Sequence, residues 1–183
     1  MRIYGIGLPR TGTSSLSKAL NDLGFSASHI CVLKETNNPS PTGTRRGQDQ
    51  YGQDVCIAPE SYFVEAGTTS VTQGYTSADA IVYNGFYKNF RDLIGSNSKF
   101  ILTTRSEIEW EKSIRRFPET PKDIPDIKEY ERDVLDSLSK KGLEKNLLVL
   151  NVFTSKHTAS LLCDFLGIDN PDYAFPHLNA TEN

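Results

Sequence analysis

Twelve residues near the start of the chain, Gly5-Ile6-Gly7-Leu8-Pro9-Arg10-Thr11-Gly12-Thr13-Ser14-Ser15-Leu16, constrain its fold more than any other stretch. They follow a short apolar run and lead into apolar residues at helical spacing. That is the pattern of a strand, a glycine loop and a helix. A loop of this kind turns several backbone N–H groups toward one point, and the helix N-terminus adds partial positive charge there. The result is a cradle for phosphate. The spacing Gly7-x-x-x-x-Gly12-Thr13-Ser14 fits the nucleotide-binding P-loop at every place but one, because Thr13 stands where the lysine would be. A chain with the cradle and without the lysine is expected to bind a phosphorylated nucleotide without cleaving its γ-phosphate.

The remaining sequence reads as strands alternating with helices. Arg2 to Ile6 is the first strand. Thr13 to Leu23 is a helix carrying Leu16, Leu20 and Leu23, with Gly24 as its stop. Phe25 to Leu33 is extended, Asn37 to Gly52 is a polar loop containing Arg45-Arg46, and Ile57 to Ala66 is a short helix. Ala80 to Tyr83 is a buried strand, and Tyr87 to Ile94 a helix ended by Gly95-Ser96-Asn97. Lys99 to Thr104 is the clearest second core strand. The helix Ser106 to Phe117 follows it, with Ser106 as N-cap and Glu109 at capping-box spacing. Ile124 to Lys140 is a charged amphipathic helix, Leu147 to Phe153 a buried strand, and Ser155 to Leu166 a last helix closed by Gly167. This order predicts an α/β fold, a parallel sheet with helices on both faces. The 183 residues are expected to form a single domain.

Composition narrows the partners. A net charge of −3 argues against a general nucleic-acid binder, so any positive patch must be local. Cys31, Cys56 and Cys163 are widely spaced and form no CxxC pair, which predicts reduced thiols in a cytoplasmic setting and no zinc site. No signal segment opens the chain, and no apolar run approaches the ~20 residues needed to span a bilayer. If these residues are the whole gene product, it is expected to be neither exported nor membrane-bound. His157 and His177 are isolated and suggest no metal set. The mixed-charge stretches Glu107 to Lys112 and Lys122 to Lys145 read as solvated helix faces.

A second cluster follows the strand Lys99-Phe100-Ile101-Leu102-Thr103-Thr104. Arg105 stands at its carboxyl end, where ligands collect in open α/β sheets. Ser113 lies eight residues on, a little over two helical turns along, with Trp110 between. An arginine and a hydroxyl so spaced can grip one phosphate from two sides. Together with the glycine loop, the pair predicts a ligand whose two phosphate groups are held apart.

On these residues the chain resembles sulfotransferases that use 3′-phosphoadenosine 5′-phosphosulfate (PAPS), in particular a short soluble branch whose loop reads Pro-Arg-Thr-Gly-Thr. Pro9-Arg10-Thr11-Gly12-Thr13-Ser14-Ser15-Leu16 is similar to that family's 5′-phosphosulfate loop. Lys99 to Arg105, with Trp110 and Ser113, is similar to its 3′-phosphate motif. Phe86-Tyr87-Lys88 and Phe175-Pro176-His177-Leu178-Asn179 also resemble the branch. The resemblance implies a P-loop-like three-layer α/β sandwich with a central, mainly parallel sheet. It implies in-line sulfuryl transfer to a hydroxyl or amine, with no metal. Arg10, Thr11, Gly12, Thr13 and Ser14 would hold the 5′ end of PAPS, and Arg105 and Ser113 the 3′-phosphate. Arg10 takes the place of the family's loop lysine, so charge stabilisation of the leaving oxygen is expected rather than proton donation.

The chain departs from the family in three places. The segment Ile81-Val82-Tyr83-Asn84-Gly85 lacks the histidine or acid that many members carry there. His29 is the first candidate for a catalytic base, since imidazole accepts protons near neutral pH, and Glu35, Glu60, Glu65 and Asp79 are alternatives. The late Arg-Lys-Gly motif is missing, with Arg45-Arg46 or Lys88 as possible replacements. No aromatic residue in the first helical turn offers a stacking surface for adenine. The acceptor is expected to be a small molecule, carbohydrate or peptide, and neither nucleic acid nor membrane. Rival readings are a catalytically silent nucleotide-binding relative and a P-loop kinase or NTPase, the latter disfavoured by Thr13 in the lysine position and by a core strand ending in Thr104-Arg105. A dinucleotide oxidoreductase fails at Arg10, where its glycine pattern needs a third glycine.

Overall fold

A computed structural model describes residues 2–33, 45–48, 54–59, 78–95, 97–117, 120, 122–153, 157–169 and 172–178. Its strands are β1 (Arg2–Gly5), β2 (Ala27–Leu33), β3 (Arg45–Gln48), β4 (Asp54–Pro59), β5 (Ala80–Tyr83), β6 (Ser98–Thr104) and β7 (Leu147–Asn151). They form one sheet in the order β3-β4-β2-β5-β1-β6-β7. Every neighbouring pair is parallel except β3 with β4. The helices are α1 (Thr13–Asp22), α2 (Glu107–Arg115), α3 (Ile127–Ser139) and α4 (Thr158–Leu166). The expected α/β class and the parallel sheet covered on both faces are present.

Strand alternation splits the apolar residues into two cores. Tyr4, Ile81, Tyr83, Phe100 and Leu102 pack with Trp110 of α2 and with Ile127, Tyr130, Val134 and Leu138 of α3. Ile3, Ala80, Val82 and Ile101 point the other way, onto Leu16 and Leu20 of α1 and Leu162 and Leu166 of α4. Each fully buried leucine contributes about 1.5–3 kcal/mol, enough for these two faces to fix the register of the central strands. The side that α1 covers therefore follows from the period-two pattern of β1, β5 and β6.

Three expectations change. The predicted loop Asn37 to Gly52 contains β3, an edge strand paired antiparallel to β4. An edge strand needs only backbone pairing on one side, so its Arg-Arg-Gly-Gln sequence carries little strand signal. The helix predicted from Ile57 begins instead inside β4, which pairs with β2 from His29↔Val55 to Leu33↔Pro59. Pairing with an existing strand outweighs weak local preference, and Pro59 falls at the strand end where a missing N–H is tolerated. The rest of that predicted helix, 60–66, lies outside the described residues. The helix predicted over Tyr87 to Ile94 is two 3₁₀ turns, Phe86–Lys88 and Phe90–Leu93, interrupted by Asn89 at φ −155°. Burial of both Phe86 and Phe90 holds these tighter turns against the sheet.

Two long-range bonds tie the β1–α1 loop to the α2–α3 face. Tyr130 Oη donates to Ile6 O at 2.7 Å, and Trp110 Nε1 donates to Pro9 O at 2.9 Å. Burial pushes the Tyr130 phenol well above its ordinary pKa, so it stays a donor. The loop is thus fixed by side chains more than a hundred residues away.

Candidate functional site

The loop after β1 is shaped by close approach. A Cβ on Gly7 would lie 1.8 Å from Thr103 Oγ1, and one on Gly12 would lie 2.2 Å from Val152 Cγ2. Gly12 also has φ 99°, in the left-handed region. Thr11 is fully buried, donating its hydroxyl to Leu8 O at 2.7 Å while Thr103 Oγ1 meets it at 2.7 Å. With its proton committed to Leu8, Thr11 Oγ1 accepts from Thr103, so its hydroxyl braces the loop. The first intrahelical bond of α1 is Leu16 N to Gly12 O at 3.0 Å. The N–H groups of Thr13, Ser14 and Ser15 therefore have no acceptor within the helix, and no acidic side chain sits in the first turn to compete with an anion.

These features open into a cleft at the sheet's edge. Six of the residues singled out from sequence line it: Arg10, Gly12, Thr13, Ser14, His29 and Arg105. The loop follows β1 and Arg105 follows β6, so both stand at carboxyl ends of parallel strands, beside the point where the chain crosses from one side of β1 to the other. His29 comes from β2, in register with Val82 of β5, whose side chain packs beneath α1. That register carries the buried imidazole to α1, where Nε2 lies 3.2 Å from Thr13 Oγ1.

Arg10 and Arg105 reach the cleft under different constraints. Arg10 has φ 70°, the one non-glycine positive φ among the described residues. Its Nε donates to Ser113 Oγ at 3.2 Å, and its Cζ lies 3.4 Å from the Phe117 ring centroid. Ser113 is thereby brought onto Arg10, and Thr11 and Ser113 do not line the cleft. Arg105 has its Cζ 4.1 Å from the Phe153 ring centroid and a loose ion pair to Glu109 at 3.9 Å. Its Nε is buried with no hydrogen-bond partner. Burial lowers the Arg105 pKa from its ordinary value, with the Glu109 carboxylate opposing that shift. A desolvated, incompletely paired guanidinium is a strong site for an incoming anion.

The other candidates lie elsewhere. Asp79 accepts from Ser26 N at 3.0 Å and precedes β5, at the sheet edge opposite the cleft. Lys88 pairs with Asp123 at 2.9 Å, and it holds that carboxyl below its ordinary pKa although burial acts the other way. Arg45 and Arg46 belong to the edge strand β3. Glu35, Glu60 and Glu65 lie outside the described residues.

Sequence reading missed three residues of the cleft. Asn84 is buried just after β5, Phe153 follows β7, and Leu178 comes from the C-terminal segment, whose backbone N–H donates to Ser15 Oγ at 2.9 Å. Asn84 carried the same signal as Arg105, a polar residue directly after a core strand. Leu178 stands in the ending Phe175 to Asn179 that resembles the family, but neither it nor Phe153 was marked as a cleft residue, since only the folded chain brings residues so distant in sequence to one place. Among the described residues no group of three His, Cys, Asp or Glu side chains is arranged to hold a metal ion, and no helix is long and apolar enough to cross a membrane.

The fold and cleft define an α/β protein with an anion site at the carboxyl edge of its sheet. The chain belongs to the sulfotransferase family: the family's description, "Sulfotransferase domain", matches residues 2–129. That span holds the glycine loop, β6, Arg105 and α2, so sulfuryl transfer is the chemistry to which the fold is put, and the protein is a transferase. A comparison with curated proteins yields no match. Among solved structures the chain is similar to a chain of the "MinC:MinD cell division protein complex" of Aquifex aeolicus, at 16% identity and TM-score 0.42, over 92% of this chain and 78% of that one. Likeness at that level carries no weight for fold or function.

Proposed function

We propose that the protein transfers the sulfuryl group of PAPS to a hydroxyl-bearing acceptor in the cleft that Arg10, Thr13, Ser14, His29 and Arg105 line. The observation that carries this reading is the pairing of two anion grips on one cleft. One is the N-terminus of α1 with its uncommitted backbone donors. The other is Arg105, whose buried Nε has no protein partner. A donor with one charged group at each end of a nucleoside fits such a pair. PAPS supplies a sulfuryl group already activated by its link to phosphate.

The residues of the chain do the rest. The N–H groups of Thr13 and Ser14, with the Ser14 hydroxyl, hold the 5′ end at the helix N-terminus, where partial positive charge favours it. Arg10 supplies fixed positive charge where negative charge grows on the leaving oxygen, stabilising the transition state more than the ground state. Arg105 holds the 3′-phosphate in a charge-assisted contact. His29 takes the acceptor proton at Nε2, the nitrogen that now meets Thr13 Oγ1. The apolar wall from Leu178 and the carboxamide of Asn84 face the acceptor.

Calorimetric titration with 3′,5′-adenosine bisphosphate and with adenosine monophosphate tests the donor. The bisphosphate is expected to bind at least about tenfold more tightly, since a charge-assisted contact is worth about 1.5–3 kcal/mol. Equal affinity for the two nucleotides would refute the reading. Transfer of radiolabelled sulfate from PAPS to a mixed panel of alcohols, sugars and tyrosyl peptides then tests the reaction, with no labelled product counting against an enzyme.

A further inference from the structure

Of the five large apolar side chains exposed among the described residues, three lie at one end of the sheet: Val149 of β7, Leu135 of α3 and Leu161 of α4. β7 ends the strand order, paired to β6 on one side and to no described strand on the other. Its outer edge therefore offers a row of backbone donors and acceptors. Val149, 43% exposed, is the middle residue of β7 and stands in register with Leu102 of β6. Leu102 packs toward α2 and α3, so Val149 lies on that same face. α3 runs antiparallel to β6. Thr104 Oγ1 donates to Glu131 Oε1 at the strand's carboxyl end, and Asn146, after the helix, donates from Nδ2 to Ser98 O at the other end, at 2.9 Å. Two strand residues from Thr104 to Leu102 span about 6.6 Å, and four helix residues from Glu131 to Leu135 span about 6 Å, so Leu135 is level with Val149. Tyr130 reaches Ile6 O beyond β1 while Glu131 reaches β6, so the side of α3 that carries Glu131 and Leu135 looks toward β7. On the other face of the sheet, Tyr173 lies close to Asp22 of α1 and to Cys163 of α4, so Cys163 looks toward α1. Leu161, on the opposite side of α4 from Cys163, looks toward the β7 edge.

The opposite edge of the sheet is defended, since β3 carries Arg45-Arg46 and β7 carries no charged residue. We infer that β7 pairs with β7 of a second copy of this chain, antiparallel and about a two-fold axis beside Val149, so that one sheet runs through both copies. The surroundings of the patch are self-complementary, as an isologous contact requires. Lys128, Glu131, Leu135 and Ser139 recur at three- and four-residue spacing on the side of α3 that looks toward β7. Lys128 Nζ lies 2.6 Å from Glu131 Oε2 on one side of Leu135, and Ser139 Oγ donates to Glu144 Oε1 at 2.7 Å on the other. A two-fold axis level with Leu135 sets Val149 beside the partner's Val149, and Lys128 opposite Glu144 of the partner subunit. In the joined sheet the two copies of β6 stand three strand spacings apart, roughly 14 Å, and α3 packs over β6. A helix with its side chains is about 10–12 Å wide, so the two copies of α3 come within reach of their longer side chains. A strand from a different protein would satisfy the backbone edge without this exchange of charges. The inference does not depend on what the cleft binds.

Size-exclusion chromatography with light scattering, run on the full chain across a dilution series, tests this. At about 100 μM the expected mass is twice that of one chain, falling toward one chain on dilution. Val149→Lys sets a charge on the open edge and is expected to weaken self-association at least about tenfold. Leu135→Lys, on a different element, is expected to do the same and carries the test should Val149→Lys fail to fold. Ile108→Lys, on α2 at 68% exposure, is the matched control and is expected to leave association within about twofold. Lys128→Glu and Glu144→Lys are each expected to weaken association about three- to tenfold, and the chain carrying both to recover to within about threefold of the parent. A parent chain that stays monomeric overturns the inference and leaves the edge for a strand of another protein. A dimer that neither Val149→Lys nor Leu135→Lys weakens overturns it too, since the copies then meet elsewhere. So does a double charge exchange without recovery, because no two-fold axis then brings those residues together.

Discussion

Arg10 and Arg105 bring charge to the same cleft, but their surroundings differ in kind. Arg10 is oriented by the protein, through Ser113, Phe117 and a left-handed backbone. Arg105 is only partly satisfied, with an orphaned buried Nε and a carboxylate 3.9 Å away. The first arrangement suits a charge that must point in one direction at the moment of transfer. The second suits a charge whose coordination an incoming anion completes. Preorganisation and affinity are thus assigned to different corners of one cleft.

The largest way to break this comparison is Gly12→Ala, because Gly12 underlies both corners. A methyl group there meets Val152 and forces an L-residue into φ 99°. The expected outcome is a loss of at least about 2 kcal/mol of stability, read by denaturant unfolding, with nucleotide binding abolished. Arg105→Ala comes next, and should remove the preference for bisphosphate over monophosphate, a change of about 10- to 100-fold by calorimetry. A surviving preference would move the affinity corner elsewhere. His29→Ala is expected to lower sulfuryl transfer by about 10²-fold while leaving bisphosphate binding within about twofold, because general-base catalysis contributes 10²–10⁴. A proportional loss of binding would mean that the imidazole only braces Thr13. The smallest effect belongs to Glu109→Gln. Its carboxylate is exposed and paired with Lys112 as well as Arg105, and Lys112 holds it below its ordinary pKa. Removing that charge should tighten bisphosphate binding by no more than about threefold, with the gain shrinking at high salt.

Legibility differed along the chain for physical reasons. The glycine loop was readable because its backbone geometry demands particular residues at fixed spacing, and Gly7 and Gly12 stand where no side chain fits. Strands β1, β5 and β6 were readable because burial on both faces makes them near-continuously apolar, and β7 because its Leu-Leu-Val-Leu run stands out even though Val149 is exposed at the sheet's edge. At the other end of the sheet, β3 and β4 were not, since their pairing depends on backbone bonds to β2 and to each other. Arg105 was visible as a charge at the end of an apolar strand. Asn84 had the same position but a weaker chemical signal. Phe117 was read as the last residue of a helix, with nothing to mark it as the ring beneath Arg10.

The sequence by itself determined the α/β order, the phosphate cradle and the residue types that could meet an anion, because each is written in local spacing and backbone conformation. The tertiary structure decided which of those residues meet. It turned Ser113 to Arg10, laid Arg105 over Phe153, set His29 against Thr13 and closed one wall with Leu178. Those pairings depend on how two packed faces bring strand ends and helix turns together across tens to more than a hundred residues, and no periodicity within a single segment encodes that distance.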